Sequence, residues 1–188
     1  METNLTIINA ALTATGNGTI ASLEDGQASA MIAAQNYDRL VRAELEAYPW
    51  TWAASTWALN LLSGTPPTGG QFAWQLPGDV AKVQRVEVAG RPITYTRMGD
   101  QIRCDHDAGV VLIGIRRPDE SEWPANFAAA MVTRLEALFL RAIGEDYDKA
   151  QARDKDADLA FRLARVSDSQ GKTAQDPYQS ALLRARRA

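Results

Sequence analysis

Cysteine and histidine are almost absent from this chain of 188 residues, which holds one of each, Cys104 and His106. A single cysteine excludes an internal disulfide, so the fold relies on packing or assembly, and a reducing compartment is expected. Cys104 and His106 stand two residues apart, but a structural zinc site needs four ligands, so we expect no metal here. A lone histidine also gives no support to a Ser-His-Asp triad.

The sequence also lacks the glycine-rich motifs that hold nucleotide phosphates, G-x-G-x-x-G and G-x-x-x-x-G-K-[ST]. No serine stands in a G-x-S-x-G context. Neighbouring carboxylates such as Asp119 and Glu120 are typical of a solvated surface, because general acid-base chemistry needs a defined geometry. We therefore expect neither an enzyme nor a bound cofactor.

A basic excess and long apolar runs are missing as well. The formal net charge is −3, which argues against a dedicated nucleic-acid-binding protein without excluding a local basic patch. The segment METNLTIINAAL has no basic region followed by a long apolar run, and no stretch approaches the roughly 20 apolar residues of a membrane span. We expect a soluble protein that is made in the cytoplasm and has no membrane partner.

Three of the five tryptophans lie close together directly after Pro49. Apolar residues at steps of three and four predict a helix before them, which ends where proline lacks an amide hydrogen and clashes with the preceding turn. Large rings are usually buried, so we interpret these residues as a core anchor at the helix exit. The alternative is a ligand-stacking platform, although no polar residues at convergent spacing accompany the rings. This aromatic knot is predicted to comprise Tyr48, Trp50, Trp52 and Trp57.

The apolar pattern predicts an α+β fold that is mainly α. The N-terminal helices are capped by Asn4 and Asp25 in this prediction, and a loop rich in proline and glycine follows at 63–71. Short alternating runs then predict one small antiparallel sheet of three to five strands, with residues 110–115 at its centre. The helices are expected at about 4–14, 26–48, 124–143 and 145–166, and the β-rich insert at about 72–117. The bundle of long helices with its inserted sheet occupies residues 1–166, and an extended C-terminal arm occupies residues 167–188.

The last predicted helix is charged on most sides and has a thin apolar stripe. Such a stripe suits a helix covered partly by its own domain and partly by a neighbouring molecule, although a solvated helix has the same pattern. From Ser167 the periodicity ends, which is typical of a frayed terminus. The alternative is an arm that orders on a partner through apolar anchors and arginine contacts. The residues of this arm are Tyr178, Leu182, Leu183, Arg184, Arg186 and Arg187.

Several short motifs occur in a fixed order along the chain. A helix ending in glycine leads to an I-x-S-L segment, a long helix, a W-x-W-A signature, an aromatic strand with L-P-x-D, a tryptophan-bearing turn and an A-R-x-x-D-x-Q segment. The residues are Gly16, Ile20, Ser22, Leu23, Trp50, Trp52, Ala53, Leu76, Pro77, Asp79, the turn at 119–127, Ala164, Arg165, Asp168 and Gln170. This order resembles the head-to-tail adaptor family of tailed phages, known in short-tailed phages as tail tubular protein A or tail accessory factor. The segment after Gln170 is longer than the family pattern requires.

The resemblance implies a structural protein without catalysis. Members of the family assemble as a ring, typically of twelve copies, below the portal protein, dock the next tail or stopper protein, and let double-stranded DNA pass through a central channel. It implies a place at the head-tail junction of a virion, or of a provirus or phage-derived transfer particle. A mildly acidic chain suits this role, because many Lys and Arg contacts to phosphates would hold the duplex. We expect an acidic or neutral channel and terminal arginines that reach the portal.

A second hypothesis belongs to another class, a small nucleic-acid-binding packaging factor. It places Arg184, Arg186 and Arg187 on phosphates. This hypothesis predicts affinity for duplex DNA that falls steeply as salt rises.

Overall fold

The computed structural model describes residues 2–171, within which helices and strands form separate packed layers. The predicted α+β class, with more residues in helices than in strands, is confirmed. The helices are α1 (Asn4–Ala14), α2 (Ala28–Ala47), α3 (Ala125–Ala142) and α4 (Tyr147–Gln170). The strands are β1 (Ala54–Ala58), β2 (Asn60–Leu61), β3 (Phe72–Gln75), β4 (Val80–Val88), β5 (Arg91–Pro92), β6 (Thr96–Met98), β7 (Gln101–Cys104) and β8 (Val110–Arg116). A short 3-10 helix, Glu120–Glu122, precedes α3.

The helix starts differ from the predicted caps. Thr3, not Asn4, caps α1, because its hydroxyl accepts from the Thr6 N–H at 3.2 Å while the Thr6 hydroxyl accepts from the Thr3 N–H at 2.8 Å. Asp25 lies outside α2 and accepts from the Ala21 N–H at 3.1 Å, so it closes the preceding turn. Both cap predictions are therefore wrong: α1 is capped one residue earlier, and Gln27, at the start of α2, makes no capping hydrogen bond with its side chain.

The four helices enclose one apolar core. α3 packs along α4 and against α1 and α2, and the stripes that face inward carry the residues expected from helical spacing. In α2 these include Tyr37, Val41 and Leu45, all buried. Buried residues of the core include Ile8, Leu12, Trp50, Phe127, Met131, Leu135, Phe139 and Phe161.

The β-rich part is larger than predicted and starts earlier. It holds two four-stranded antiparallel sheets, in the orders β1-β8-β4-β5 and β2-β3-β7-β6, where the sequence predicted one sheet starting near residue 72. The difference comes from Ala54–Ala58, which the pattern assigned to the region of the aromatic knot. This segment pairs with β8, with Trp57 opposite Leu112. The predicted central position of β8 in its sheet is confirmed, since it lies between β1 and β4.

Two irregularities in β4 shape the centre of this sheet. The pairing register with β8 shifts between Val80 and Lys82 and again between Val83 and Arg85. Gly114 of β8 lies at this point, and a Cβ atom there would stand 2.3 Å from the carbonyl oxygen of Lys82. The close approach of two backbones requires glycine here.

The β-rich part is an insertion between the second and third helices. The chain enters it after Ala53 and returns at Arg116, whose N–H donates to the Ala53 carbonyl at 2.9 Å. Its strands enclose a second apolar core, formed by residues such as Trp74, Val86, Ile102 and Leu112. The helical layer is therefore assembled from both ends of the described chain.

The last helix extends past the predicted boundary. α4 ends at Gln170, so Ser167 and Asp168 belong to the helix and not to an arm that begins at 167. The extra turn is held because Ala164 is buried and Asp168 bonds to the chain after the second helix. At its other end, the Asp146 side chain caps the helix by accepting from the Lys149 N–H at 3.0 Å.

Candidate functional site

The aromatic knot is centred on Trp50, which is 1% exposed. Its ring meets the ring of Tyr48 edge-on at a centroid distance of 5.0 Å and that of Phe127 at 5.1 Å. Trp52 contacts Phe127 as well, at 4.9 Å. The Trp50 indole N–H donates to the carbonyl of Glu44, at 2.9 Å, in the last turn of α2. The core-anchor interpretation of Trp50 is confirmed, because ring packing and the hydrogen bond both fix the chain where the helix ends.

Trp57 does not belong to the knot, contrary to the prediction. It lies on β1, packs against the second core and donates its indole N–H to the Asp79 carboxylate at 3.3 Å. The physical reason is the strand: once the chain is extended from Ala54, Trp57 is carried away from Trp50 into the sheet. The predicted group of four is therefore a group of three, joined by Phe127, Trp123 and Phe161 from other segments.

Asp168 fastens the last turn of α4 to the knot. Its carboxylate oxygens accept from the Thr51 N–H at 3.1 and 3.0 Å and also from the Thr51 hydroxyl. A cleft of about 260 Å³ opens beside this contact, lined in part by Trp52 and Gly171. The Trp52 indole N–H is buried without a hydrogen-bond partner. The Asp168 carboxylate beside the cleft is therefore already engaged, while the Trp52 N–H is not.

A network of ion pairs joins α2, α3 and α4. Arg134 contacts Glu44 at 3.1 Å, Asp154 at 3.2 Å and Asp158 at 2.5 Å, and Arg165 contacts Glu44 at 3.5 Å. Burial raises the pKa of Glu44 above its usual range, and the nearby Arg134 and Arg165 offset only part of this effect. The network links three helices, and its positive and negative side chains largely neutralise one another.

The side of α4 that faces away from the core is apolar near its C-terminal end. Leu159, Leu163 and Val166 are 52%, 62% and 55% exposed. Steps of four and three place them on one side of the helix, while Phe161 and Ala164 are buried on the opposite side. We call these three residues the outer stripe. The sequence predicted a single thin apolar stripe in this helix, although the i, i+4, i+7 spacing of the outer stripe is also visible in the sequence.

The residues considered as a possible metal site, Cys104 and His106, lie next to each other without further ligands in residues 2–171. Cys104 is 2% exposed, and its thiol lies 3.8 Å from the carbonyl oxygen of His106, while no group of three or more His, Cys, Asp or Glu side chains in this part of the chain could hold a metal. None of the helices in the same part combines the length and the apolar character needed to cross a bilayer.

The residues predicted to form a portal-binding arm lie outside the described residues. These are Tyr178, Leu182, Leu183, Arg184, Arg186 and Arg187. Asp168 and Phe127 were not predicted as partners of the knot, because only the fold brings them to Thr51 and Trp50. No protein-family model matches this chain, and no curated protein is similar to it.

Proposed function

We propose that this chain is a structural head-to-tail adaptor of a phage or phage-like particle. It forms a ring below the portal protein, twelve-membered by the family resemblance, extends the DNA channel and docks the next tail or stopper protein. The observation that carries the proposal is that residues from three of the motifs meet in one place. Trp50 and Trp52 pack on Phe127 of the tryptophan-bearing turn, and Asp168 of the A-R-x-x-D-x-Q segment bonds Thr51 between them.

The remaining motif residues also have structural roles. Ile20 and Ala53 are buried in the helical core, and Leu76 is buried in the second core. Asp79 of the L-P-x-D motif accepts from Trp57, and its backbone carbonyl accepts from the Arg117 N–H at 2.8 Å where the chain leaves the insert. The convergence of the three motifs at Trp50, Phe127 and Asp168 supports the proposal that they form one structural signature, while L-P-x-D has its role at the second core.

The charge distribution is compatible with a DNA conduit. Residues 2–171 carry 16 lysines and arginines against 22 aspartates and glutamates, a net charge of −6. An acidic wall repels phosphates, so a duplex passes it without the strong contacts that a basic surface would make. The sequence after Gly171 is net basic, because it holds one acidic residue, Asp176, against four basic ones: Lys172, Arg184, Arg186 and Arg187. This segment is the part that we assign to contact with the portal.

The direct test is mass photometry of the purified chain, alone and mixed with the portal protein from the same genome. We expect one large complex of fixed stoichiometry, and the added mass gives the number of copies. Failure to form a complex with a portal that is itself a complete ring would contradict the proposal.

The role of the arm is tested by shortening the chain after Gly171. A cut at Ser167 is unsuitable, because it would remove Asp168 and with it the hydrogen bonds to Thr51. We expect the shortened chain to keep its thermal unfolding transition and to lose portal binding. In the full chain, replacing Arg184, Arg186 and Arg187 by alanine should weaken binding, whereas replacement by lysine should retain most of it, because the contacts are between charges.

The packaging-factor hypothesis is tested in the same preparations. A gel-shift at low salt with duplex DNA should show no shift for the adaptor. A shift that disappears steeply with added salt, and that is lost in the triple alanine variant, would favour the packaging factor.

A further inference from the structure

The outer stripe, Leu159, Leu163 and Val166, leaves three large aliphatic side chains more than half exposed on one helix face. Isolated exposed aliphatic residues are ordinary, but three on one side of two consecutive turns form a continuous apolar surface. The stripe lies within the last three turns of α4, which ends at Gln170. Something apolar would gain free energy by covering it.

The same face changes character toward the start of α4. Continuing backwards in steps of three and four from Leu159 leads to Asp156, Ala152 and Asp148, all exposed. Lys155 lies on this side as well, next to Asp156. From the C-terminal end backwards, the face is therefore apolar first and charged afterwards, with Asp148, Lys155 and Asp156, the last of which pairs with Arg153 at 3.3 Å.

The residues that follow Gly171 have the matching order. Their apolar side chains, Tyr178, Leu182 and Leu183, come before the arginines at 184, 186 and 187. A segment that turns back along α4 would place apolar residues on the stripe and then basic residues beside Asp156 and Asp148. A segment that continued away from α4 after Gly171 would not contact the outer stripe.

We propose that the outer face of α4 is a docking surface for residues 172–188 of the same chain. The reach is sufficient: Leu159 is twelve residues before Gly171, about 18 Å along a helix, while the eleven residues from Gly171 to Leu182 span up to about 36 Å when extended. Tethering also gives the segment an effective concentration near the millimolar range, so weak apolar and ionic contacts suffice. A second copy of the chain has no such advantage at micromolar concentration.

This inference concerns the isolated chain and holds or fails independently of the proposed adaptor function. If both are correct, residues 172–188 must leave α4 before they reach the portal. The outer stripe would then become exposed only where the portal is present, which would confine any contact made through it to the assembly site.

The test measures how fast a thiol on the outer face is alkylated in the full chain. Val166→Cys places the thiol on the stripe, and Gln35→Cys, on the exposed side of α2, is the matched control. N-ethylmaleimide labelling is read by peptide mass spectrometry, which separates both sites from the buried Cys104. Each probe is measured with the natural tail and with Leu182→Asp and Leu183→Asp together.

With the natural tail we expect labelling at position 166 to be about fivefold slower than with the double aspartate tail, equivalent to coverage for about four-fifths of the time. Labelling at position 35 should be equal in both. The protection should not change when the protein is diluted, because the contact is within one chain. A second probe, Leu163→Cys, should repeat the result.

Two outcomes would overturn the proposal. Equal rates at position 166 with both tails mean that residues 172–188 do not cover the stripe. Protection that grows with protein concentration assigns the face to a second copy, whether or not the tail is needed. Urea unfolding of each variant verifies that the rates compare folded chains.

Discussion

The carboxylate of Asp168 accepts hydrogen bonds from both the backbone N–H and the hydroxyl of Thr51, 117 residues earlier in the chain. Thr51 stands between the two tryptophans of the knot, so this contact joins the final turn of α4 to the exit of α2. A carboxylate that receives several hydrogen bonds is a stronger acceptor than a neutral side chain. The C-terminal end of the described chain is thus bonded to the segment around Thr51, which precedes the β-rich insertion in the sequence.

Replacing Asp168 by alanine should lower the free energy of unfolding by about 2 kcal/mol, the usual range for a hydrogen bond to a charged group. The loss also leaves the Thr51 N–H without its acceptor. Urea denaturation measures the change, and Glu24→Ala, at an exposed position, is the control, with an expected change below about 0.5 kcal/mol. Equal effects of the two substitutions would show that the contact contributes nothing specific.

Trp50 and Trp57 should differ strongly when each is replaced by alanine. Trp50 is buried among Tyr48, Trp52 and Phe127, so Trp50→Ala should cost about 3–5 kcal/mol of stability. Trp57 is half-buried on an edge strand, and its loss should cost about 1 kcal/mol. Thermal and urea unfolding measure the loss of stability in both variants. Similar losses would mean that Trp57 contributes to the helical core as much as Trp50 does.

Gly114→Ala should destabilise the β-rich part by about 3 kcal/mol or more, because the added methyl group would collide with the Lys82 carbonyl and only backbone movement relieves the contact. The matched control is Gly78→Ala, where nothing lies within 4 Å of the added carbon. Circular dichroism during urea unfolding compares the two. A stable Gly114→Ala variant would mean that the strands part easily at this point.

The half-buried Glu44 should make stability depend on pH. Its pKa is raised in the folded chain above the ordinary value of 4.5, mainly by burial. Its contribution to stability is therefore fully present below about pH 4.5 and is lost as pH rises through the raised pKa, because the folded state binds the proton more tightly than the unfolded state. Relative to the wild type, Glu44→Gln should gain stability as pH rises.

This pH effect is measured as the difference in free energy of unfolding between wild type and Glu44→Gln from about pH 4 to about pH 7. Glu46→Gln, at an exposed position two residues further along, shows whether the slope belongs to the buried site. A difference that stays level, or that slopes the other way, would mean that Arg134 and Arg165 outweigh burial.

The helices could be predicted from sequence because their spacing is a local property. Tyr37, Val41 and Leu45 repeat at helical steps and are buried, and Pro49 marks the exit. The start of the β-rich part could not be predicted as well. Ala54–Ala58 is rich in small residues and follows Trp52 directly. Its strand character depends on pairing with β8, whose residues lie over 50 positions further on.

The burial of Trp50 at the centre of the knot could be predicted from the sequence, but the residues that contact the knot from distant segments could not. Burial of Trp50 follows from its size and its place after a helix, whereas no local pattern links Asp168 to Thr51. The predicted arm boundary at 167 was wrong for the same reason, since the apolar spacing thins out there while a distant contact holds one more helical turn. Asp168 is one of the residues that carry the resemblance to the adaptor family, but the motif does not indicate its hydrogen-bond partner.

The place where the chain enters and leaves the β-rich part, joined by the Arg116 N–H and the Ala53 carbonyl, has a consequence for biosynthesis. α1 and α2 leave the ribosome well before α3 and α4, which complete their core, and the two sheets lie between them in the order of synthesis. The sheets are complete while the first two helices still expose apolar stripes. During translation the apolar stripes of α1 and α2 stay exposed, or are covered by a chaperone, until α3 emerges. Rare codons after residue 116 would lengthen this exposure and promote aggregation.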